Sequence, residues 1–176
     1  DLNHLLDVVR GSDFRLALQV DATSNDPTSE IAAFYTHVHD PNLVTYQGRP
    51  VLFFWYVRAH SPEFWRTLRA QLDPSHSSLW MADGDDFSVL DSDAWDGISP
   101  YAIAWSANPR AQLPAWAAKA RAAAPDKLYV PPVSPGCDDR LARAATCVQD
   151  RAGGAYYQAT LDGAAATQPT WAVIVS

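Results

Sequence analysis

The chain is poor in cysteine, methionine and glutamate, and each shortage removes a class of function. Of 176 residues only two are cysteine and one is methionine. Cys137 and Cys147 fit no zinc pattern on their own, because a tetrahedral site wants four ligands and no close histidine pair accompanies them. They read either as a disulfide closing a small loop in an exported protein or as two unpaired thiols. The two glutamates, Glu30 and Glu63, follow Asp26-Pro27 and Ser61-Pro62. Both fall in the first turn of an expected helix, where they complement the dipole, so neither is a catalytic candidate. No stretch approaches the roughly 18 uninterrupted apolar residues of a membrane span, and no signal-like segment opens the chain, which reads as soluble. It starts at Asp1 without an initiator methionine, which suits a cleaved signal, a trimmed chain or an excised fragment alike.

Positive charge is also short, with 13 bases against 20 acids, a formal net charge of −7 and no basic run. That field repels phosphate backbones, so nucleic acid is not an expected partner. Gly-x-Gly-x-x-Gly and Gly-x-x-x-x-Gly-Lys are both absent, leaving a nucleotide-binding fold without support. Gly-x-Ser-x-Gly is absent too and Cys137 has no evident histidine partner, which argues against serine- or cysteine-based hydrolysis. His37 and His39 would point to different sides of a helix and to the same side of a strand, a weak metal signal, and no metal is expected there.

What the sequence does have is alternation. Apolar runs at 14–21, 50–57, 78–83, 97–105, 127–130 and 171–176 read as strands, and the last reads as a buried one. Between them, helices are expected at 2–9, 29–38, 62–72, 113–124 and 155–166. Asp26-Pro27 and Ser61-Pro62 place a capping side chain before a proline, which suits a first helical turn because the missing N–H has no partner there. Pro100 marks a bulge or a late strand start. About six βα units in one domain spanning 1–176 suit either a doubly wound sheet or most of a (β/α)8 barrel.

In such folds the ligand sits at the carboxyl ends of the strands. The residues there are Asp21; Tyr56 and Arg58; Asp83, Asp85 and Asp86; Tyr101 and Trp105; and Asp138, Asp139, Arg140 and Arg143. Aromatic faces stack on sugar rings while carboxylates and arginine take hydroxyls, so the set leans toward a neutral polyol. Each has a plainer role beside it. Asp21 can cap the turn into Asp26-Pro27, Asp83-Gly-Asp-Asp86 can be a solvated loop, and Asp138 and Asp139 can cap a following helix with Arg143 paired to one of them.

Five pieces in order resemble glycoside hydrolase family 99, the endo-α-1,2-mannosidase-like (β/α)8 barrels. They are Gly48-Arg-Pro-Val-Leu-Phe-Phe, residues 87–101 ending Asp96-Gly-Ile-Ser-Pro-Tyr101, Pro132-Val-Ser-Pro-Gly-Cys-Asp-Asp139, Asp150-Arg-Ala-Gly-Gly-Ala-Tyr-Tyr157 and Pro169-Thr-Trp-Ala-Val-Ile-Val-Ser176. The resemblance implies an incomplete TIM-like barrel of an exported glycosidase that acts on or binds α-linked glycans such as mannosides, with no organic cofactor. The alternative from another class is a non-catalytic carbohydrate-binding or structural barrel domain. The resemblance also implies that Asp21, Tyr56, Tyr101, Asp138, Asp139 and Arg143 line the sugar groove, with Cys137 standing where the family has tyrosine and Asp21 where it usually has glutamate. The family's catalytic carboxylates lie in an Asn-Glu-Trp-x-Glu run after a strand ending like Val173-Ile-Val-Ser176, so they are expected beyond Ser176. Further segments of the same protein, or a second copy, are expected to cover open barrel edges.

Overall fold

The computed structural model describes residues 2–24, 26–141 and 147–175. They fall into two compact units, Asp1–Ala82 with Ser92–Asp96, and Asp83–Asp91 with Gly97–Ser176.

The first unit runs α1 (Leu2–Val9), β1 (Leu18–Asp21), α2 (Pro27–Tyr35), β2 (Thr45–Tyr46), β3 (Arg49–Trp55), α3 (Pro62–Leu72) and β4 (Leu79–Ala82). The helix starts follow from the cap residues. Asp26 Oδ1 accepts from Ser29 N at 2.9 Å and Ser61 Oγ from Phe64 N at 3.2 Å, each with proline next in line. β1, β3 and β4 form a parallel sheet, with Leu18 level with Leu52 and Trp80, and Val20 with Phe54 and Ala82. The alternation of strand side chains then sorts two faces. On one, the Phe54 ring lies 5.5 Å from Trp65, 4.8 Å from Trp80 and 5.1 Å from Trp95, and all four are buried. Each such ring removed from water contributes roughly 2–3 kcal/mol. The other face carries Gln19, Asp21, Phe53 and Trp55, all exposed or half-buried.

The amino ends of these strands are tied by a buried ionic cluster. Asp73 accepts from the backbone N and hydroxyl of Ser77 at 2.7 Å each, and from Ser78 N and Oγ at 3.1 and 2.7 Å. Arg69, lying over the Trp80 ring at 4.6 Å, pairs with Asp73 and with Asp96, and Asp96 also receives Arg49 and Trp80 N. In parallel α/β proteins this is the end that carries stability rather than chemistry.

The second unit contains β5 (Gly97–Ile98), α4 (Pro109–Ala123), β6 (Leu128–Tyr129), β7 (Pro132–Val133), β8 (Cys137–Asp138), β9 (Val148–Gln149), α5 (Ala155–Ala166) and β10 (Val173–Ile174). β5 pairs with β6 and β7 with β10, both parallel, while β8 and β9 form an antiparallel hairpin. α4 begins four residues before its expected start because Asn108 Oδ1 caps Ala111 N at 3.3 Å ahead of Pro109. α5 packs closely on α4: a Cβ added at Gly163 would stand 2.7 Å from Pro109 O.

The expected run at 97–105 is a two-residue strand and then a 3-10 turn, Ala102–Trp105, with Pro100 at the break. The run at 171–176 is corrected: it pairs with β7, but Ile174 is 66% exposed, so it is a half-covered strand and not a core one.

Candidate functional site

Two groups of strand-end residues stand at carboxyl ends, one in each unit. In the first unit, Asp21 and Trp55 are register partners, and Ala22 N donates to Trp55 O at 3.0 Å, so β1 and β3 end side by side. Registered neighbours project on the same face, which brings an exposed carboxylate beside a half-buried indole. Asp21 Oδ1 accepts from Thr23 N at 2.8 Å and Thr23 Oγ1 at 2.7 Å, a turn that fixes the carboxylate just beyond the strand. The expected capping role of Asp21 is therefore real, and it is exercised on Thr23.

Tyr56 stops β3. Its backbone sits in the left-handed region at φ 59°, ψ 45°, which costs a side-chain-bearing residue roughly 1–2 kcal/mol. The turn leaves the ring 39% exposed, 5.8 Å from Trp55, with the Arg58 guanidinium over it at 4.4 Å. His60 Nε2 meets Ala22 O at 2.9 Å and its ring stacks on Phe64 at 4.2 Å, so the loop after β3 is pinned back to the end of β1.

In the second unit, Asp83 Oδ1 accepts from Tyr101 N at 2.8 Å. Asp83 thus orients the backbone from which Tyr101 projects, while Asp85 and Asp86 remain exposed around Gly84. Tyr101 lies 5.9 Å from Trp105, whose ring is 50% exposed. The turn carrying both rings is held from below by Tyr156, whose hydroxyl reaches Ile103 O at 2.6 Å and Ser106 O at 3.0 Å. An open hollow of about 530 Å³ runs from Trp105 past Ser106, Asn108 and Gln112.

Cys137 and Cys147 are joined by a disulfide, and both sulfur atoms lie 3.8 Å from Ala104 O. The bridge therefore seats the β8–β9 hairpin against the turn that carries Trp105. Asp139 closes the hairpin, accepting from Cys147 N at 3.0 Å and donating its own N–H to Cys147 O at 3.1 Å. Asp138 is exposed and takes Arg140 Nε at 2.8 Å together with Arg140 Nη2. Hydrogen bonds from the Arg140 side chain and backbone hold its carboxyl down at about 2, so at neutral pH it is a charged acceptor and no proton donor. Asp138 and Asp139 bond within the hairpin, to Arg140 and Cys147, while residues 142–146, where the helix they were expected to cap would run, lie outside the described residues. Arg143 lies outside the described residues.

Of the residues expected at a site, Asp21, Tyr56, Tyr101, Asp138 and Asp139 lie at or near strand ends. Sequence reasoning missed Gln19 and the alignment of Trp55 with Asp21, which period-two counting back from Asp21 could have suggested. It also missed His60, for which no local signal exists. Among the described residues no three or more His, Cys, Asp or Glu gather as metal ligands would.

No family model and no curated protein matches the chain. Solved structures do. A GH99 endo-α-mannosidase from Bacteroides thetaiotaomicron aligns over 99% of this chain with TM-score 0.80 and 20% identity. The same kind of enzyme from that organism, in complex with bis-tris-propane, aligns over 99% with TM-score 0.78 and 19% identity. The chain has the fold of these family 99 proteins. It spans 56% and 60% of their lengths, which is part of a (β/α)8-type barrel.

Proposed function

We propose that residues 1–176 belong to one glycoside-hydrolase-like barrel domain that takes α-linked glycans such as mannosides at its strand ends. The observation that carries this reading is the alignment over 99% of the chain at TM-score 0.80 to an endo-α-mannosidase. In this reading Tyr56 and Tyr101 supply faces for sugar rings. Asp21, Asp138, Asp139 and Arg143 accept from or donate to hydroxyls. The reading assigns no acid–base pair within 1–176, and the family resemblance puts that pair in the run that follows a strand like Val173-Ile-Val-Ser176. No organic cofactor enters. A secreted or extracytoplasmic location suits the Cys137–Cys147 bridge, which persists in oxidising compartments. Among the described residues no helix is long and apolar enough to cross a membrane.

A second reading, a carbohydrate-binding barrel without hydrolysis, fits the same residues, because no acid–base pair is assigned within 1–176 and the Asp138 carboxylate is engaged by Arg140. Titration of the protein with α-linked mannotetraose, with product analysis of the same mixture, tests both. Binding with cleavage supports the hydrolase, and binding without cleavage supports the second reading. A folded protein that binds no α-linked oligosaccharide overturns both.

A further inference from the structure

Arg58 is the cation that the strand-end reading leaves without a task. It sits in the 3-10 turn Val57–Ala59 immediately after β3, on the side of the sheet where ligands of parallel α/β folds bind. Among the described residues no carboxylate pairs with it; its recorded contact is the Tyr56 ring at 4.4 Å. The other guanidiniums of the first unit differ. Arg10, Arg49, Arg66 and Arg69 each have an acid, and Arg15 is turned onto the backbone carbonyls of Ser12 and Phe14. In a chain of net charge −7, a free guanidinium at a strand end is a local reversal of sign.

The placement is also held at a cost. Tyr56 adopts φ 59°, and that turn is what presents its ring beneath Arg58 and beside Trp55. His60, bonded to Ala22 O at 2.9 Å, pins the far end of the same loop. A strained residue that fixes a cation on an exposed aromatic face is preorganised, since the guanidinium loses little further freedom when an anion arrives. Its planar fork matches a carboxylate in two-point geometry, and stacking on the ring leaves the fork's edge free.

We infer that Arg58, set on Tyr56 next to Trp55 and Asp21, makes this strand end selective for a sugar that carries a carboxylate, a uronic acid residue within an α-linked chain. The pyranose lies on the aromatic surface, Asp21 takes a hydroxyl, and Arg58 takes the C5 carboxylate. This rests on the glycan reading above and narrows it to an acidic glycan.

The test is calorimetric titration of the protein with three probes of equal length: α-linked mannotetraose, its counterpart oxidised at C6 of one residue, and its counterpart sulfated at C6. The oxidised chain is expected to bind about tenfold tighter than the neutral one, the worth of one exposed charge-assisted contact. The advantage should shrink as salt is raised. R58M is expected to bring the two affinities together, and R58K to keep a reduced preference because the charge stays while the fork is lost. Thermal melts confirm that both variants are folded. Equal affinity for the neutral and oxidised chains, or a preference that survives in folded R58M, overturns the inference and leaves the glycan reading standing. Preference for the sulfated chain over the oxidised one overturns the carboxylate assignment. Binding of none of the three overturns the inference together with the reading beneath it.

Discussion

Asp73→Asn gives the sharpest test of how the first unit is held together. The carboxylate is 2% exposed and accepts four hydrogen bonds from Ser77 and Ser78, and it lies 3.3 Å from Arg69. A hydrogen bond to a charged group is worth about 1.5–3 kcal/mol, and removing one partner of a buried ion pair costs about 3–5 kcal/mol. The full sum overshoots. Asparagine keeps one carbonyl oxygen for two of the donors, and Arg69 keeps Asp96 at 3.0 Å. Its amide, however, turns N–H groups toward the remaining donors. About 3 kcal/mol of destabilisation is therefore expected, a large share of the roughly 5–15 kcal/mol that holds a domain together. Urea unfolding followed by tryptophan fluorescence should show the midpoint falling by about 1.5 M for a slope near 2 kcal/mol/M. A second signature is pH. Burial pushes Asp73 up, but the hydrogen bonds from Ser77 and Ser78 outweigh it and hold the carboxyl below its ordinary range. A depressed folded-state value adds stability that is present above the unfolded value of about 3.9 and is lost as pH falls through the folded one. The wild type should lose this contribution below about pH 4, and D73N should lack that part of the slope. A penalty under about 1 kcal/mol at pH 7, or an unchanged acid limb, would refute the assignment.

Three further outcomes are expected. Removing the Cys137–Cys147 bridge by paired serine substitution should cost about 3 kcal/mol on the chain-entropy account of a loop of this length, read as a lower thermal midpoint that added reductant does not change further. Gly163→Ala pits a helix-propensity gain of about 0.5–1 kcal/mol against overpacking of about 1–3 kcal/mol. Because the new Cβ would meet Pro109 O, a backbone atom, at 2.7 Å, the clash wins, and a net loss near 1–2 kcal/mol is expected in chemical denaturation; a stabilised variant would show that α4 and α5 can separate freely. Tyr56→Gly relieves a left-handed backbone worth roughly 1–2 kcal/mol while removing a ring that is already 39% exposed, so the melting temperature should hold or rise. Its affinity for α-linked mannotetraose should fall about tenfold, on the scale of one aromatic contact. Weaker folding with intact affinity would assign Tyr56 to structure alone.

What the sequence discloses about this chain depends on how far apart the interacting residues lie. α3 is legible to the residue because Ser61, Pro62 and Glu63 carry its start within three positions, whereas α5, which starts after Gly154 without a side-chain cap, is legible from its composition alone. The end of β3 is less so, since nothing in Phe-Trp-Tyr-Val says that Tyr56 turns left-handed; that conformation is imposed by the loop pinned through His60 to Ala22, 38 positions away. The hairpin of β8 and β9 was hidden for a related reason: nothing in Pro-Gly-Cys-Asp-Asp points to Val148 and Gln149 until Cys147 is brought back to Asp139. Asp21, Tyr56 and Tyr101 do lie at or just past the ends of β1, β3 and β5, a placement that needs only the order of elements and not their register.

The buried ionic cluster shows where such reading stops. A charged residue on a helix is expected in water, and the spacing of Arg69 and Asp73 suggests an ordinary surface pair one turn apart. Only half of the arrangement is in that spacing. Asp96 lies 27 positions on and Arg49 pairs with it across 47, so the buried charge of Arg69 is paired by groups that local pattern cannot name. The indole of Trp80 beneath the guanidinium completes the enclosure. Burial of Arg69 is thus a consequence of the parallel order of β3 and β4, which brings the start of one strand and the approach to the next to the same end of the sheet. Residues that look solvated by their neighbours in sequence become core by their neighbours in space.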